Sequence, residues 1–101
     1  MISGYMGKLL FVDLSADIVK TEEPDERLYH DYVGGYGIGA KVLYERQEAG
    51  VDPLGPGNML GLMTGPLTGT PATFGSRYTV VGKSPLTGGW GDASCGGDFG
   101  P

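Results

Sequence analysis

The sequence has little cysteine, little histidine and little positive charge. Its 101 residues include one cysteine, Cys95, and one histidine, His30. A single thiol cannot form an internal disulfide, and it cannot alone supply the ligands of a tetrahedral zinc site or an iron–sulfur cluster. Seven Lys and Arg against 12 Asp and Glu, a net charge of −5, provide no basic cluster for a nucleic-acid backbone. The low positive charge excludes nucleic-acid binding. The low cysteine content favours a reducing, cytoplasmic compartment.

Long apolar runs and targeting signals are also absent from the sequence. Residues 53–76 carry no charge, but Pro and Gly interrupt them every few positions. No segment therefore approaches the roughly 18 consecutive apolar residues that a membrane-spanning helix needs. Residues 1–8 lack a basic stretch followed by a sustained apolar run, the pattern of a signal peptide. We expect neither a membrane span nor export.

Glycine is abundant, and charge is unevenly distributed. The chain has 20 Gly without a three-residue period, and 40% of its residues are apolar, which excludes collagen and simple disorder. Residues 1–52 contain most of the charged side chains, whereas residues 53–101 contain only Arg77, Lys83 and two Asp. The first half is typical of a solvated surface. The second half predicts buried or ligand-facing loops that need a further surface beside them.

The hydrophobic pattern predicts a mainly β, α+β fold with antiparallel or mixed sheets and one or two short helices. Strand formers on both sides of a turn indicate a β-hairpin, and acidic residues after a proline indicate a short helix. The predicted elements are strands at 7–14, 18–21, 59–64 and 78–81, a short helix at 25–33, and a clearer helix from Ile38 toward Gly50.

The tetrapeptide Pro-Leu-Thr-Gly occurs twice, at residues 66–69 and 85–88, each time after a predicted strand. Proline fixes φ near −65° and the final glycine permits positive φ, so both copies predict turns. Two similar turns on one sheet are favoured over a repeat with functional meaning.

The sequence contains partial matches to two phosphate-binding motifs, and neither match is complete. A Walker loop needs glycine where Arg77 stands, and it needs a helix where Pro85 stops one. Residues 35–40 fit the pattern G-x-G-x-x-A, but no predicted strand precedes them. Close backbone packing at a helix start is the favoured explanation for these glycines.

Neither the lone histidine nor the lone cysteine belongs to a catalytic pattern. His30 has no Ser or Asp constellation that would make it a base, so we expect it on the surface. For Cys95, a small buried residue is favoured over a reactive thiol.

Residues 75–97 combine Arg77 and Lys83 with hydroxyl donors, Trp90 and many glycines. Arginine binds phosphate in a bidentate manner, and glycine lets backbone N–H groups approach oxygen atoms closely. These residue types alone predict an anion-binding, glycine-rich loop.

The order of these motifs resembles the N-terminal domain of the aldehyde:ferredoxin oxidoreductase family over essentially the whole chain. The motifs in order are Gly34-Gly35-x-Gly37, Pro53-Leu54, Asn58, Gly65-Pro66-Leu67-Thr68-Gly69-Thr70, Ser76-Arg77 and Lys83-Ser84-Pro85-Leu86-Thr87-Gly88-Gly89-Trp90-Gly91-Asp92. The resemblance implies that residues 1–101 are the incomplete N-terminal part of a larger domain. That domain is a base for a tungsten, or occasionally molybdenum, bis-pyranopterin with magnesium.

The same resemblance implies cofactor-binding roles for Arg77, Ser94 and Gly96. Arg77 matches an arginine between the pterin and a [4Fe–4S] cluster, and Ser94 and Gly96 match positions at the pterin and its magnesium-bridged phosphates. The family often has Asn at the position of Ser94 and Arg at that of Tyr36, so the metal-bridging role of Ser94 is weakened and no role is carried over to Tyr36. Catalytic groups and cluster ligands are implied in later domains, so this chain is assigned no catalytic residue and no metal ligand.

The implied activity is oxidation of aldehydes to carboxylic acids by an anaerobic enzyme, with electrons passing through the [4Fe–4S] cluster to ferredoxin. Residues 1–101 alone should be inactive. Implied partners are the rest of the enzyme chain or a complementary subunit, ferredoxin, and a second copy in a homodimer. Alternatives are a related tungsten enzyme, such as an aryl-CoA reductase subunit, and a stand-alone pterin-binding or assembly protein without catalysis.

Overall fold

The computed structural model describes residues 4–101 and contains five strands and two helices. The elements in chain order are β1 (Leu9–Asp13), β2 (Ile18–Glu22), α1 (Glu26–Tyr32), α2 (Tyr36–Arg46), β3 (Leu60–Thr64), β4 (Tyr78–Lys83) and β5 (Trp90–Cys95). The strands form two antiparallel sheets, β1-β2 and β3-β4-β5. The predicted α+β, mainly β class is confirmed. No helix within these residues is long and apolar enough to cross a membrane.

The β1-β2 hairpin forms where the strand pattern predicts it. The Asp13 carboxylate accepts hydrogen bonds from the backbone N–H groups of Ser15 and Ala16, at 3.0 and 3.1 Å, which fixes the turn. Glu22 at the end of β2 accepts two hydrogen bonds from the Arg46 guanidinium, at 3.1 and 2.5 Å. This ion pair attaches the hairpin to the last turn of α2.

Both predicted helices form, with shifted limits for the second. In α1, the Asp25 side chain accepts a hydrogen bond from Arg27 N at 2.8 Å, which caps the first turn. Helix α2 begins at Tyr36, two residues before the predicted start, and ends at Arg46, before Gly50. It ends early because Gln47 turns to extended backbone and its side-chain oxygen accepts a hydrogen bond from Met59 N at 2.7 Å.

Helix α2 packs on one face of the three-stranded sheet, which we call the helix-bearing face. It contacts β3 and β4 but, within residues 4–101, not β5. Val81 of β4 is fully buried beneath it, and a Cβ at Gly39 of α2 would lie 2.8 Å from Val81 Cγ2. Glycine at this position lets the helix approach the sheet closely.

Strand β5 is not among the strands that the sequence predicts. It pairs with β4 along its whole length, from Lys83 opposite Trp90 to Tyr78 opposite Cys95. The residues of β5 include Gly, Asp and Ala, which are depleted in strands. Backbone pairing to β4 outweighs this low propensity, so residues 90–95 of the expected loop form an edge strand.

Both Pro-Leu-Thr-Gly segments form the predicted turns. Thr68 N donates to Gly65 O at 3.2 Å, and Gly88 N donates to Ser84 O at 2.8 Å. The final glycines, Gly69 and Gly88, have φ values of +83° and +72°. Positive φ is the conformation that glycine adopts without the steric penalty of a side chain.

Candidate functional site

The structure brings together the three residues that sequence reasoning singled out for cofactor binding. The Arg77 guanidinium donates hydrogen bonds through Nε and Nη2 to Ser94 Oγ, at 3.3 and 3.2 Å. A Cβ added at Gly96 would lie 3.5 Å from Arg77 Nη1. The absence of a side chain at Gly96 therefore keeps one side of the guanidinium open.

Sheet register explains this arrangement. Ser94 of β5 is paired with Thr79 of β4, and Arg77 precedes Thr79 by two residues. Side chains two residues apart on a strand point to the same face. Arg77 and Ser94 therefore meet on the helix-bearing face, at the edge that α2 does not cover.

The Arg77 guanidinium is exposed and has no acidic partner among residues 4–101. Its bonds to Ser94 Oγ use Nε and one N–H of Nη2. Because guanidinium has five N–H donors in a rigid plane, both N–H groups of Nη1 remain available to an anion. The site can hold an anionic group with Arg77 oriented in advance.

Strand β5 brings two further side chains of the predicted loop, Trp90 and Asp92, onto the same strip of the sheet as Ser94, an arrangement that sequence reasoning missed. Trp90 and Asp92 alternate with Ser94 on the helix-bearing face, and Trp90 Nε1 donates to Asp92 Oδ2 at 2.6 Å. This bond fixes the indole beside the sheet edge. The signal that could have found the strip is the two-residue spacing of Trp90, Asp92 and Ser94.

A groove of about 330 Å³ lies between Arg77 and the start of α2. Its volume is at the lower end of the range typical of small-molecule sites, about 300–1,000 Å³. Among the residues that line it are Tyr36, Met63, Phe74 and Thr79. Tyr36, to which the resemblance assigns no role, is thus a neighbour of Arg77 across the groove.

The glycines around the start of α2 allow close backbone packing, as the sequence favours. A Cβ at Gly34 would lie 3.0 Å from Gly65 Cα, and one at Gly37 would lie 2.1 Å from Tyr32 O. Gly35 has φ +52° and donates its N–H to Thr64 O at 3.1 Å. The element before this segment is helix α1, so the arrangement is not that of a dinucleotide-binding motif.

Lys83 and Ser84 have structural contacts that differ from those of a Walker loop. Lys83 Nζ donates to Val51 O at 2.7 Å, and Ser84 Oγ accepts from the N–H groups of Leu86 and Thr87, at 3.2 and 3.3 Å. The segment after Lys83 is a turn leading into β5. The helix that a Walker loop requires after Lys83 is therefore replaced by a turn and a strand.

His30 and Cys95 are both exposed. For His30 this confirms the prediction, and its Nδ1 lies 3.2 Å from Asp31 Oδ1. For Cys95 the prediction of a small buried residue is wrong, because edge strand β5 leaves the thiol uncovered. The adjacent Tyr78 has a raised pKa, first because its side chain hydrogen-bonds Cys95 and second because of desolvation. No group of three or more His, Cys, Asp or Glu within residues 4–101 could hold a metal ion.

Fold and site together define a class of protein: an α+β domain whose sheet edge displays an exposed arginine oriented by a neighbouring hydroxyl. The family model described as "Aldehyde ferredoxin oxidoreductase, N-terminal domain" matches residues 9–101. The chain therefore belongs to the aldehyde ferredoxin oxidoreductase family, as the motif order indicates.

Individual relatives support this assignment. The tungsten-containing aldehyde ferredoxin oxidoreductase of Pyrococcus furiosus is 45% identical over 97 residues, which are 96% of this chain and 16% of that protein. The WOR-like subunit of aliphatic sulfonate oxidoreductase from the same organism is 43% identical over 89 residues, 84% of this chain and 14% of the subunit. The chain spans about a sixth of the length of the curated relatives it matches.

A solved structure also resembles the chain. It is the active-site complex BamBC of benzoyl coenzyme A reductase with 1,5-dienoyl-CoA, and it superposes with a TM-score of 0.88 at 35% identity. The match covers 93% of this chain and 14% of that one. The two-sheet, two-helix arrangement thus also occurs in a much larger protein.

Proposed function

We propose that residues 1–101 are the cofactor-cradling N-terminal segment of a tungsten oxidoreductase, the first part of a larger domain. The single observation that carries the proposal is the meeting of Arg77, Ser94 and Gly96 at the uncovered edge of the helix-bearing face. The names of the tungsten-containing relatives support tungsten as part of the ligand.

The residues present fit an anionic pterin cofactor. Both N–H groups on Arg77 Nη1 point away from Ser94 and can donate to phosphate or pterin oxygen atoms. At Gly96, a side chain would occupy the space beside Nη1 that a ligand needs. The Ser94 hydroxyl accepts both of its hydrogen bonds from Arg77 and so orients it, and its own O–H would be free to donate to an oxygen atom of the cofactor. When bound, tungsten bis-pyranopterin supplies two-electron redox chemistry.

The proposed reaction converts an aldehyde and water to a carboxylic acid, releasing two electrons and two protons. Electrons would leave through a [4Fe–4S] cluster to ferredoxin, in an anaerobic and cytoplasmic enzyme that forms a homodimer or pairs with another subunit. The names of the relatives that are about 45% identical support this choice. Catalytic groups and cluster ligands belong outside residues 1–101, so this segment alone should not turn over substrate.

The benzoyl-CoA reductase likeness favours a second candidate. At 35% identity and a TM-score of 0.88, the chain could equally serve a subunit that acts on aryl-CoA thioesters. The shared segment holds the cofactor and does not form the substrate pocket, so Arg77, Ser94 and Gly96 have the same role in both candidates.

Purification of the protein from its native source under anoxia tests the proposal. We expect an intact mass several times 10.5 kDa, bound tungsten, and aldehyde-dependent reduction of a viologen dye. Tungsten with dienoyl-CoA-dependent but not aldehyde-dependent dye reduction would select the second candidate. A protein of 10.5 kDa without tungsten or molybdenum would instead identify a stand-alone binding or assembly protein.

A further inference from the structure

The first Pro-Leu-Thr-Gly turn contains a threonine hydroxyl that connects the ends of two strands. Gly65 N donates to Thr68 Oγ1 at 3.0 Å, and Thr68 Oγ1 donates to Arg77 O at 2.8 Å. Gly65 directly follows β3, and Arg77 directly precedes β4. The last paired residues of these two strands are Thr64 and Tyr78. The hydroxyl therefore joins β3 to the backbone of Arg77 at the point where direct strand pairing stops.

The second copy of the tetrapeptide connects its strands without such a bridge. Ser84 precedes the proline of this copy, as Gly65 does in the first. Gly89 directly precedes the next strand, as Arg77 does. Here Ser84 N donates directly to Gly89 O at 2.8 Å, and Thr87 Oγ1 accepts from Gly89 N at 3.2 Å. The same tetrapeptide thus uses its threonine differently, and the hydroxyl lies between two strand ends in the first copy.

The hydrogen bonds of Thr68 indicate that it acts on Arg77 and not on a ligand. A hydroxyl has one O–H donor and two lone pairs. The donor of Thr68 is used by Arg77 O, and one lone pair is used by Gly65 N. Because an anionic ligand requires donors, Thr68 has none left to offer it.

Two different residues fix the two ends of Arg77. Thr68 holds its backbone oxygen, and Ser94 Oγ accepts from its guanidinium. The loop that separates Thr68 from Arg77 is closed by a hydrogen bond from Gly69 N to Gly75 O, at 3.1 Å. A group that binds a ligand must be held to within about 0.5 Å of its working position. The arrangement meets this requirement at both ends of a long, flexible side chain.

We propose that the Thr68 hydroxyl is a positioning group for Arg77, which makes the first Pro-Leu-Thr-Gly turn part of the cofactor site. The second copy has no such role. The inference rests on the proposed function, in which Arg77 holds an anionic cofactor. Loss of the hydroxyl therefore weakens cofactor binding, although no group that contacts the cofactor is removed.

Thr68→Val tests the inference, because valine keeps the branched shape of threonine and lacks the hydroxyl. The full-length, tungsten-loaded protein is dialysed under anoxia, and release of tungsten and pterin is followed with time. We expect release about three- to tenfold faster than from the wild type, the effect of losing one or two neutral hydrogen bonds. Thr87→Val, the same change in the second copy, is the matched control and should release tungsten at the wild-type rate. Equal rates for Thr68→Val and the wild type would overturn the inference.

A double-mutant cycle separates positioning from a general loosening of the loop. In the Arg77→Ala protein, Thr68→Val should not accelerate release any further, because the group that it positions is gone. Thr70→Val removes a different bond of the same loop, from Thr70 Oγ1 to Leu67 O at 2.7 Å, and should leave release unchanged. Equal acceleration by Thr68→Val with and without Arg77 would show a structural role and contradict the inference.

Rescue by serine gives a test that does not depend on the folding of Thr68→Val. Thr68→Ser keeps the hydroxyl, so its release rate should stay within about twofold of the wild-type rate. Release from Thr68→Ser as fast as that expected for Thr68→Val would overturn the inference.

The inference and the proposed function fail in different ways. Faster release from Arg77→Ala together with unchanged release from Thr68→Val would overturn the inference alone. Unchanged release from Arg77→Ala would remove Arg77 from the site and overturn both.

Discussion

Arg77 donates two hydrogen bonds to one oxygen atom, Ser94 Oγ, across the β4-β5 edge of the sheet. The hydroxyl holds the plane of the guanidinium without neutralising its charge, which an acidic residue at that position would do. Ser94 therefore orients Arg77 and leaves its charge available to an anion.

Replacement of Arg77 tests its binding role directly. Arg77→Ala removes charge-assisted hydrogen bonds worth about 1.5–3 kcal/mol, so cofactor affinity should fall about ten- to hundredfold. Arg77→Lys keeps the charge but loses the planar pair of donors, and its effect should be intermediate. Tungsten and pterin per purified full-length protein are the measurements. Arg27→Ala, an exposed arginine on α1, is the control. Unchanged tungsten in Arg77→Ala would remove Arg77 from the site.

Adjacent glycines should respond differently to substitution. Gly96 lies outside the left-handed backbone region, and a side chain there meets Arg77 Nη1 at 3.5 Å. Gly96→Val should therefore reduce tungsten content about tenfold with little change in Tm. Gly97 has φ +110° and open space around it, so Gly97→Ala should lower stability by about 1–2 kcal/mol through backbone strain.

Metal analysis and thermal unfolding of both full-length variants separate blocked space from backbone strain. A Gly96→Val protein that keeps its tungsten would show that a ligand does not use the space beside Nη1. A fall in Tm equal to that of Gly97→Ala would show that Gly96 has a structural role instead.

Stability should depend on pH through Glu22. Hydrogen bonding from the Arg46 guanidinium, assisted by Lys20, holds the Glu22 pKa below its ordinary value of 4.5. A depressed carboxyl pKa contributes stability above the unfolded value, and this contribution is lost as pH falls through the folded value. Glu22→Gln should therefore be less stable than the wild type at pH 7, and the difference should vanish at an acidic pH below the lowered pKa of Glu22.

Denaturant unfolding at the two pH values measures this effect. Glu48→Gln, which alters another exposed glutamate, is the control and should show no comparable loss at pH 7. A stability difference for Glu22→Gln that persists unchanged at low pH would mean that packing, not charge, is responsible.

Replacement of Gly37 should lower stability, because a side chain at this position would collide with the backbone. A Cβ there would lie 2.1 Å from Tyr32 O, so Gly37→Ala must shift the backbone between α1 and α2, at a cost of about 3 kcal/mol or more. Gly89→Ala has its nearest contact at 3.8 Å, from Thr87 Oγ1, and should change stability by less than about 0.5 kcal/mol. Unfolding free energies of the two variants provide the comparison. Similar unfolding free energies for the two variants would show that the backbone between α1 and α2 can shift at little cost.

Locally encoded elements were predictable from the sequence. The β1-β2 hairpin depends on strand formers around Asp13, whose side chain closes the turn within the next three residues. Helix α1 depends on its own cap, Asp25. In each case the residues that determine the structure are neighbours in sequence, so composition and spacing are enough to predict the element.

Strand β5 and the environment of Cys95 were not predictable in this way. The residues of β5 are poor strand formers, and the strand exists because β4 offers a free edge for pairing. The exposure of Cys95 follows from its place on that edge strand. The strand and the exposure of Cys95 both depend on pairing with β4, which the residues of β5 alone do not predict.

The sequence by itself determined the family. Motifs such as Lys83-Ser84-Pro85 keep their order in the chain whatever the fold, and the family model matches over residues 9–101. Only the tertiary structure decided that Arg77 meets Ser94, 17 residues away, on an edge that α2 leaves uncovered. The reason is physical: which side chains share a face depends on strand register, and register is set by long-range backbone pairing.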